Sequence, residues 1–130
     1  MKPKTERWVR FAERDFRAAK VLFENSDISE LVCYLAQQSV EKYLKAVLAE
    51  SDRSIPRTHN LGKLYQLTND LLPELDSLAP DIVRISVFAV ATRYPEEDDS
   101  DADFSRVVDL ALATMEAVRR IVRAHLGLTN

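Results

Sequence analysis

Hydrogen-bonding and charged side chains recur through Ala36-Gln37-Gln38-Ser39-Val40-Glu41-Lys42-Tyr43-Leu44-Lys45, in the middle of an otherwise apolar segment. Amides, a carboxylate and ammonium groups at this spacing can hold a phosphate, orient a base or sugar, or pair among themselves. On a buried helix such groups carry a desolvation cost unless they face a partner, a ligand or water. An exposed face with Glu41 and Lys45 paired at i, i+4 accounts for a Glu and two Lys. It accounts less well for two adjacent glutamines.

Other residues offer this stripe company from elsewhere in the chain. Asp15 falls within the apolar arc of an earlier helix. His59 stands at a helix start, either as a loop-packing or capping imidazole or as a ligand-facing one. Arg93 precedes Tyr94-Pro95, where a guanidinium either caps carbonyls at a helix end or clamps a phosphate or carboxylate.

Five helical segments are expected to position these groups. The first spans about Thr5–Asn25, with Thr5 as a candidate N-cap and Trp8, Phe11, Ala12, Ala18, Ala19 and Leu22 in one apolar arc. Asn25-Ser26-Asp27 forms a turn and capping cluster. The second helix, about Ile28–Glu50, is apolar over more than half its circumference, as in the centre of a bundle. Its remaining strip holds Tyr34, Gln38, Glu41, Lys42 and Lys45.

A loop containing Pro56 leads to a short third helix that Thr58 or Asn60 caps and that runs to about Leu72. Pro73 and Pro80 bracket a break, and Pro80 suits the first turn of a fourth helix, Asp81–Thr92. That helix is apolar almost all round (Ile82, Val83, Ile85, Val87, Phe88, Val90), which suggests a subunit interface. After Pro95 the acidic run Glu96–Asp103 opens a final amphipathic helix to about Leu126, with Arg119, Arg120 and Arg123 complementing its dipole.

The chain of 130 residues is long enough for one domain with a real core, and its two glycines and lack of strand patterns argue all-α. A single cysteine, Cys33, excludes an internal disulfide and suits a reducing cytoplasm, with a packing role inside its helix. No signal peptide or membrane span is read; the longest apolar run, Ile85–Ala91, is far too short. A net charge of −3 gives no global attraction to nucleic acid, so any polyanion site must be a local basic patch.

Metal and cofactor chemistry finds little support. Asp99-x-Asp101-x-Asp103 imitates the opening of a calcium loop, but Phe104 stands where the turn needs Gly and Leu110 where it needs the bidentate acid. Two distant histidines and one cysteine make no zinc site. Phosphate-binding glycine loops and nucleophile elbows are absent, so no cofactor is expected.

The ordered set Trp8-x6-Asp15, Ala36-Gln37-Gln38-x2-Glu41-Lys42-x2-Lys45, Thr58-His59-x-Leu61 and Arg93-Tyr94-Pro95 resembles the HEPN domain family. It looks closest to the small stand-alone prokaryotic members often encoded beside a minimal nucleotidyltransferase. The resemblance covers about residues 6–126, nearly all of one domain spanning 1–130. It implies an up-and-down four- or five-helix bundle, usually a homodimer, with a polar groove associated with nucleotide or RNA.

Carried over by position, the groove residues are Gln38, Glu41, Lys45, His59 and Arg93, with Asp15 at the acidic position of the first helix. Arg93 and Lys45 would hold phosphate, Gln38 and His59 would bond base or sugar, and Asp15 and Glu41 would orient the basic groups. Many members are ribonucleases with an Arg-x4–6-His motif after the penultimate helix. This chain departs from that pattern, because no His follows Arg93 at the required distance. Arg120-x4-His125 and Arg119-x5-His125 satisfy the spacing, but Arg120 and His125 point about 140° apart on one helix, and His125 falls on its apolar side.

The expectation is therefore a cytoplasmic, non-catalytic nucleotide- or RNA-binding domain acting with a nucleotidyltransferase in a toxin–antitoxin-type module. A metal-independent endoribonuclease toxin using His59 or His125, and a purely structural dimerisation module, are the alternatives.

Overall fold

In the computed structural model, residues 1–91 and 100–129 are described, without the side chains of 88–91, 100–104 and 106. Five α-helices run α1 (Pro3–Asn25), α2 (Ser29–Glu50), α3 (Leu61–Thr68), α4 (Ala79–Ala91) and α5 (Ser100–His125), with a 3-10 turn at Pro73–Leu78 between α3 and α4. No strand occurs among the described residues. The all-α bundle expected from the apolar periodicity is the fold observed.

Helix α2 is the axis of the bundle. It packs along α1 and α5 and also touches α3 and α4. Cover on every side explains its wide apolar arc: Val40, Tyr43, Leu44, Val47 and Leu48 are all buried. They meet Leu61 and Leu64 of α3, Ile82 and Ile85 of α4, and Met115, Val118 and Val122 of α5 in one core. Burying each side chain of this size contributes about 1.5–3 kcal/mol. Cys33 packs in the same core, and burial pushes its thiol up to about 11, which suits a packing residue.

The core face of α1 differs from the expected arc. Thr5, Val9, Ala12 and Ala19 are buried and Phe16 packs beside them, whereas Ala18 is exposed. The true stripe therefore follows Val9 and Phe16, and Asp15 flanks it rather than occupying its middle. Thr5 does not cap the helix either. Pro3 begins α1, and the Thr5 hydroxyl donates to Glu50 Oε1 at 2.8 Å, beside the Lys2 amide at 3.1 Å. A residue read as a local cap is instead a tie between the first turn of α1 and the last turn of α2.

Helix ends follow their chemistry. The Ser26 hydroxyl donates to Leu22 O and accepts from the Ile28 amide, turning the chain from α1 into α2. At the end of α2, Asp52 adopts φ 58°, and the amides of Asp52 and Arg53 return to Ala49 O and Leu48 O. This is the left-handed helix stop, with Asp standing where Gly is commonest. Arg53 then forks onto Asp70 and donates to Leu67 O, fixing the loop to the end of α3.

Helix α3 stops at Thr68 rather than near Leu72. The residue before Pro73 is steered to extended backbone, and Leu72 has φ −129°. The expected break between the prolines is filled by the 3-10 turn, which buries Leu75. Helix α4 starts at Ala79 with Pro80 in its first turn, buries Ile82 and Ile85, and leaves Val83 and Val87 exposed.

Candidate functional site

Positions 37, 41 and 45 recur every fourth residue, so one face of α2 carries Gln37, Glu41 and Lys45 in line. All three are buried, at 2%, 3% and 6% exposure, because α2 is enclosed on this side as well. Of the expected strip, Glu41 and Lys45 are thus interior, whereas Tyr34, Gln38 and Lys42 are half-buried. Among the described residues, no buried side-chain nitrogen or oxygen is left without a hydrogen-bond partner.

Glu41 is the hub. Its Oε2 accepts from Lys45 Nζ at 3.0 Å, and its Oε1 lies 2.9 Å from His59 Nδ1 and 3.4 Å from Gln37 Nε2. Gln37 Nε2 also donates to the backbone oxygen of His59 at 3.0 Å, and Gln38 Nε2 donates to Gln37 Oε1 at 3.1 Å. The Lys45 ammonium sits 5.5 Å from the centroid of the Trp8 ring on α1, so a cation–π contact completes its surroundings. These donors supply partners for both oxygens of a carboxylate that is removed from water.

The loop delivers His59 to that carboxylate by pinning the residues around it. Thr58 Oγ1 accepts from the Asn60 amide at 3.1 Å, and the Asn60 side chain caps α3 by accepting from the Lys63 amide at 3.1 Å. The next amide, Leu61 N–H, donates to Ser86 Oγ of α4 at 3.2 Å. Asn60, not Thr58, is therefore the cap of α3. The imidazole is 61% exposed, so its inner nitrogen is held by a buried group while the ring faces outward. A carboxylate only accepts, which places the hydrogen on Nδ1 and makes Nε2 the outward nitrogen. Nε2 has no partner among the described residues.

The arrangement gathers Gln38, Glu41, Lys45 and His59 into one connected cluster. Asp15 is not part of it: its carboxylate pairs with Lys42 Nζ at 2.5 Å, at the α1–α2 contact. Arg93, Tyr94 and Pro95 lie outside the described residues, as does Asp99 of the acidic run. Gln37 was visible as a buried amide in the sequence, yet its bond to the His59 carbonyl depends on where the loop returns. Trp8 likewise gains its role from a residue on another helix.

A second polar cluster could not be read from the sequence. Glu13 accepts from Tyr43 Oη at 2.6 Å, Arg119 Nε at 3.0 Å and Arg123 at 2.9 Å, joining α1, α2 and α5. Burial raises the Glu13 carboxyl pKa, but the Tyr43 hydroxyl and the two guanidinium groups outweigh it and hold it below the ordinary range. This clamp removes Arg119 from any Arg–His pair. His125 is exposed rather than on the apolar side of α5, because the helix ends there in a turn with Gly127 at φ 74°.

No group of three or more potential metal ligands occurs among the described residues, and none of their helices is long and apolar enough to cross a membrane. The Glu41–His59 cluster offers hydrogen bonding at an anchored imidazole.

Compared with known families, residues 5–125 match the family model described as the HEPN domain. No curated protein and no solved structure matches the chain.

Proposed function

The chain belongs to the HEPN domain family, and from that premise we propose that it is a non-catalytic member that binds a nucleotide or an RNA end at the Glu41–His59 cluster. The observation that carries this reading is an outward imidazole fixed through Nδ1 by a buried carboxylate. Such a ring keeps one orientation without a ligand, so little order has to be imposed on binding. Gln38, half-buried and joined to the cluster through Gln37, supplies an amide suited to a base or sugar edge. Lys45 contributes by holding Glu41, since its ammonium is buried against that carboxylate.

Phosphate contact is assigned to Arg93, whose guanidinium fork suits a phosphate. It follows by seven residues Ser86, the side chain that accepts from the first amide of α3 next to the cluster. Homodimerisation is proposed through α4, where Val83 and Val87, one turn apart, are 48% and 63% exposed. A nucleotidyltransferase partner and a toxin–antitoxin-type role rest on the likeness to small stand-alone members. The non-catalytic assignment rests on the missing Arg-x4–6-His after α4 and on Arg119 being clamped by Glu13. Calorimetric titration of AMP, ATP and a short RNA tests the binding site. Wild type is expected to bind and Arg93→Ala to bind at least about tenfold more weakly, about 1.4 kcal/mol; equal binding by both removes Arg93 from the site.

One observation favours a second reading. A histidine oriented through Nδ1 by a carboxylate, with Nε2 outward, is the arrangement a general acid–base uses. On that reading the chain is a metal-independent endoribonuclease with His59 as its proton-transfer group. Cleavage of RNA that disappears in His59→Ala and survives in His125→Ala would establish it, and absence of histidine-dependent cleavage removes it.

A further inference from the structure

Although the chain is acidic, a concentrated basic face lies on α1 and meets the α2–α3 cluster through Trp8, on which Lys45 packs. Arg7, Arg10, Arg14 and Arg17 follow one another by three, four and three residues, the spacing that puts side chains on a single helix face. All four are exposed, and none of them has an ion-pair partner among the described residues. Two acids of the same helix are engaged elsewhere, Glu13 with Arg119 and Arg123 and Asp15 with Lys42. Glu6 near the start of the stripe and Glu24 two turns beyond Arg17 remain as exposed carboxylates. The field along this face is therefore positive although the chain carries −3 overall.

Aromatic rings are interleaved with the arginines. Phe11 has the Arg10 and Arg14 guanidinium carbons 5.9 and 5.5 Å from its centroid. Trp8, on which Lys45 packs, borders with Phe11, Lys4 and Arg7 a hollow of about 260 Å³. That volume is just below the range of pockets that enclose a whole small-molecule ligand, and suits one flat ring better than a complete nucleotide.

We infer that this face of α1 is a track for a single strand of nucleic acid, with the arginines on successive phosphates and with Phe11 and the Trp8-lined hollow stacking bases. Arginines alone would equally fit an acidic protein segment. The rings between them favour the strand, because unpaired bases present π-faces that carboxylates lack, and base–aromatic stacking is tolerant of sequence. From Arg7 to Arg17 the helix rises about 15 Å, close to four nucleotides at the ~3.4 Å spacing of a stacked strand. Contacts of this kind read neither base identity nor the 2′-hydroxyl, so RNA and DNA single strands bind alike. This inference does not depend on a ligand at His59.

Fluorescence anisotropy with labelled oligo(U), oligo(dT) and duplex DNA of about twelve units each, over a salt series, tests it. Wild type is expected to bind both single strands similarly and the duplex less well. The logarithm of its affinity should fall against that of salt with a slope of about −3, the value for four phosphates on a single strand. Arg10→Gln/Arg14→Gln should halve that slope to about −1.4, and Arg7→Gln/Arg17→Gln provides a second, independent pair of exposed substitutions. Phe11→Leu should keep the slope and lose at least about fivefold in affinity through stacking. His59→Ala should keep the slope, which the arginines set.

Three results would overturn the track. One is no salt-dependent binding by wild type. Another is polyglutamate displacing the strand as well as oligo(U) does, with Phe11→Leu unchanged, which assigns the face to an acidic protein. The third is binding lost in His59→Ala but intact in both arginine pairs, which moves the contact to the α2–α3 cluster.

Discussion

Glu41 and Lys45 form an ion pair at 3.0 Å inside the bundle, with side chains only 4% and 7% exposed. Spacing at i, i+4 on a surface helix is worth a few tenths of a kcal/mol. Here the pair is enclosed, so its members are interdependent. Removing one leaves the other as a buried charge, a loss of about 3–5 kcal/mol.

Lys45→Met is accordingly expected to destabilise the fold by about 3 kcal/mol in urea unfolding. Glu41→Gln/Lys45→Met should recover most of that loss, because no unpaired charge then remains. Additive losses in the two single variants and the double variant would show that the groups do not act as a pair.

The second buried carboxylate predicts a pH dependence. Burial raises the Glu13 pKa, but bonds from Tyr43 and the charges of Arg119 and Arg123 bring it below its ordinary value, about 4.3 in a free chain. Above that value the carboxylate is ionised in folded and unfolded chains alike, and its stabilisation is complete. As pH falls below about 4, the unfolded chain takes up the proton first, and the contribution fades until the folded carboxyl is also protonated. Glu13→Gln should therefore cost about 2 kcal/mol near neutral pH and progressively less in acid. A difference from wild type that stays constant from pH 7 down to full protonation contradicts this assignment.

The exposed valines of α4 predict an assembly. Sedimentation should give a dimer for wild type and a monomer for Val87→Glu, since a carboxylate in an apolar contact weakens it by about 3 kcal/mol or more. A monomeric wild type, or a dimer indifferent to this change, removes α4 as the interface.

Periodicity was enough to place the helices and to mark α2 as central, because a wide apolar arc needs neighbours on several sides. Periodicity alone misjudged the face of α1: small residues such as Ala18 count as apolar wherever they stand, and Asp15 appeared central until Val9 and Phe16 defined the stripe. Local chemistry correctly supplied the Asn60 cap but also suggested Thr5, whose hydroxyl is taken by Glu50 across the bundle. Gln38, Glu41, Lys45 and His59 were legible as candidates from residue type and resemblance. Their connection was not, because it depends on a loop that returns His59 to α2 and on Gln37 accepting the task of holding that loop's backbone. The Glu13 clamp joins residues more than a hundred positions apart, a distance at which spacing carries no information.

The Glu41–His59 cluster as a ligand site is tested most directly at the imidazole itself. The chain has two histidines, His59 in the cluster and His125 at the end of α5, so long-range proton–nitrogen NMR can follow both rings, with His59→Ala supplying the assignment. On titration with AMP or a short RNA, the His59 Nε2 resonance should move in a saturable way while that of His125 stays in place. A His59 resonance that does not respond, or that moves only in parallel with His125, would contradict the account.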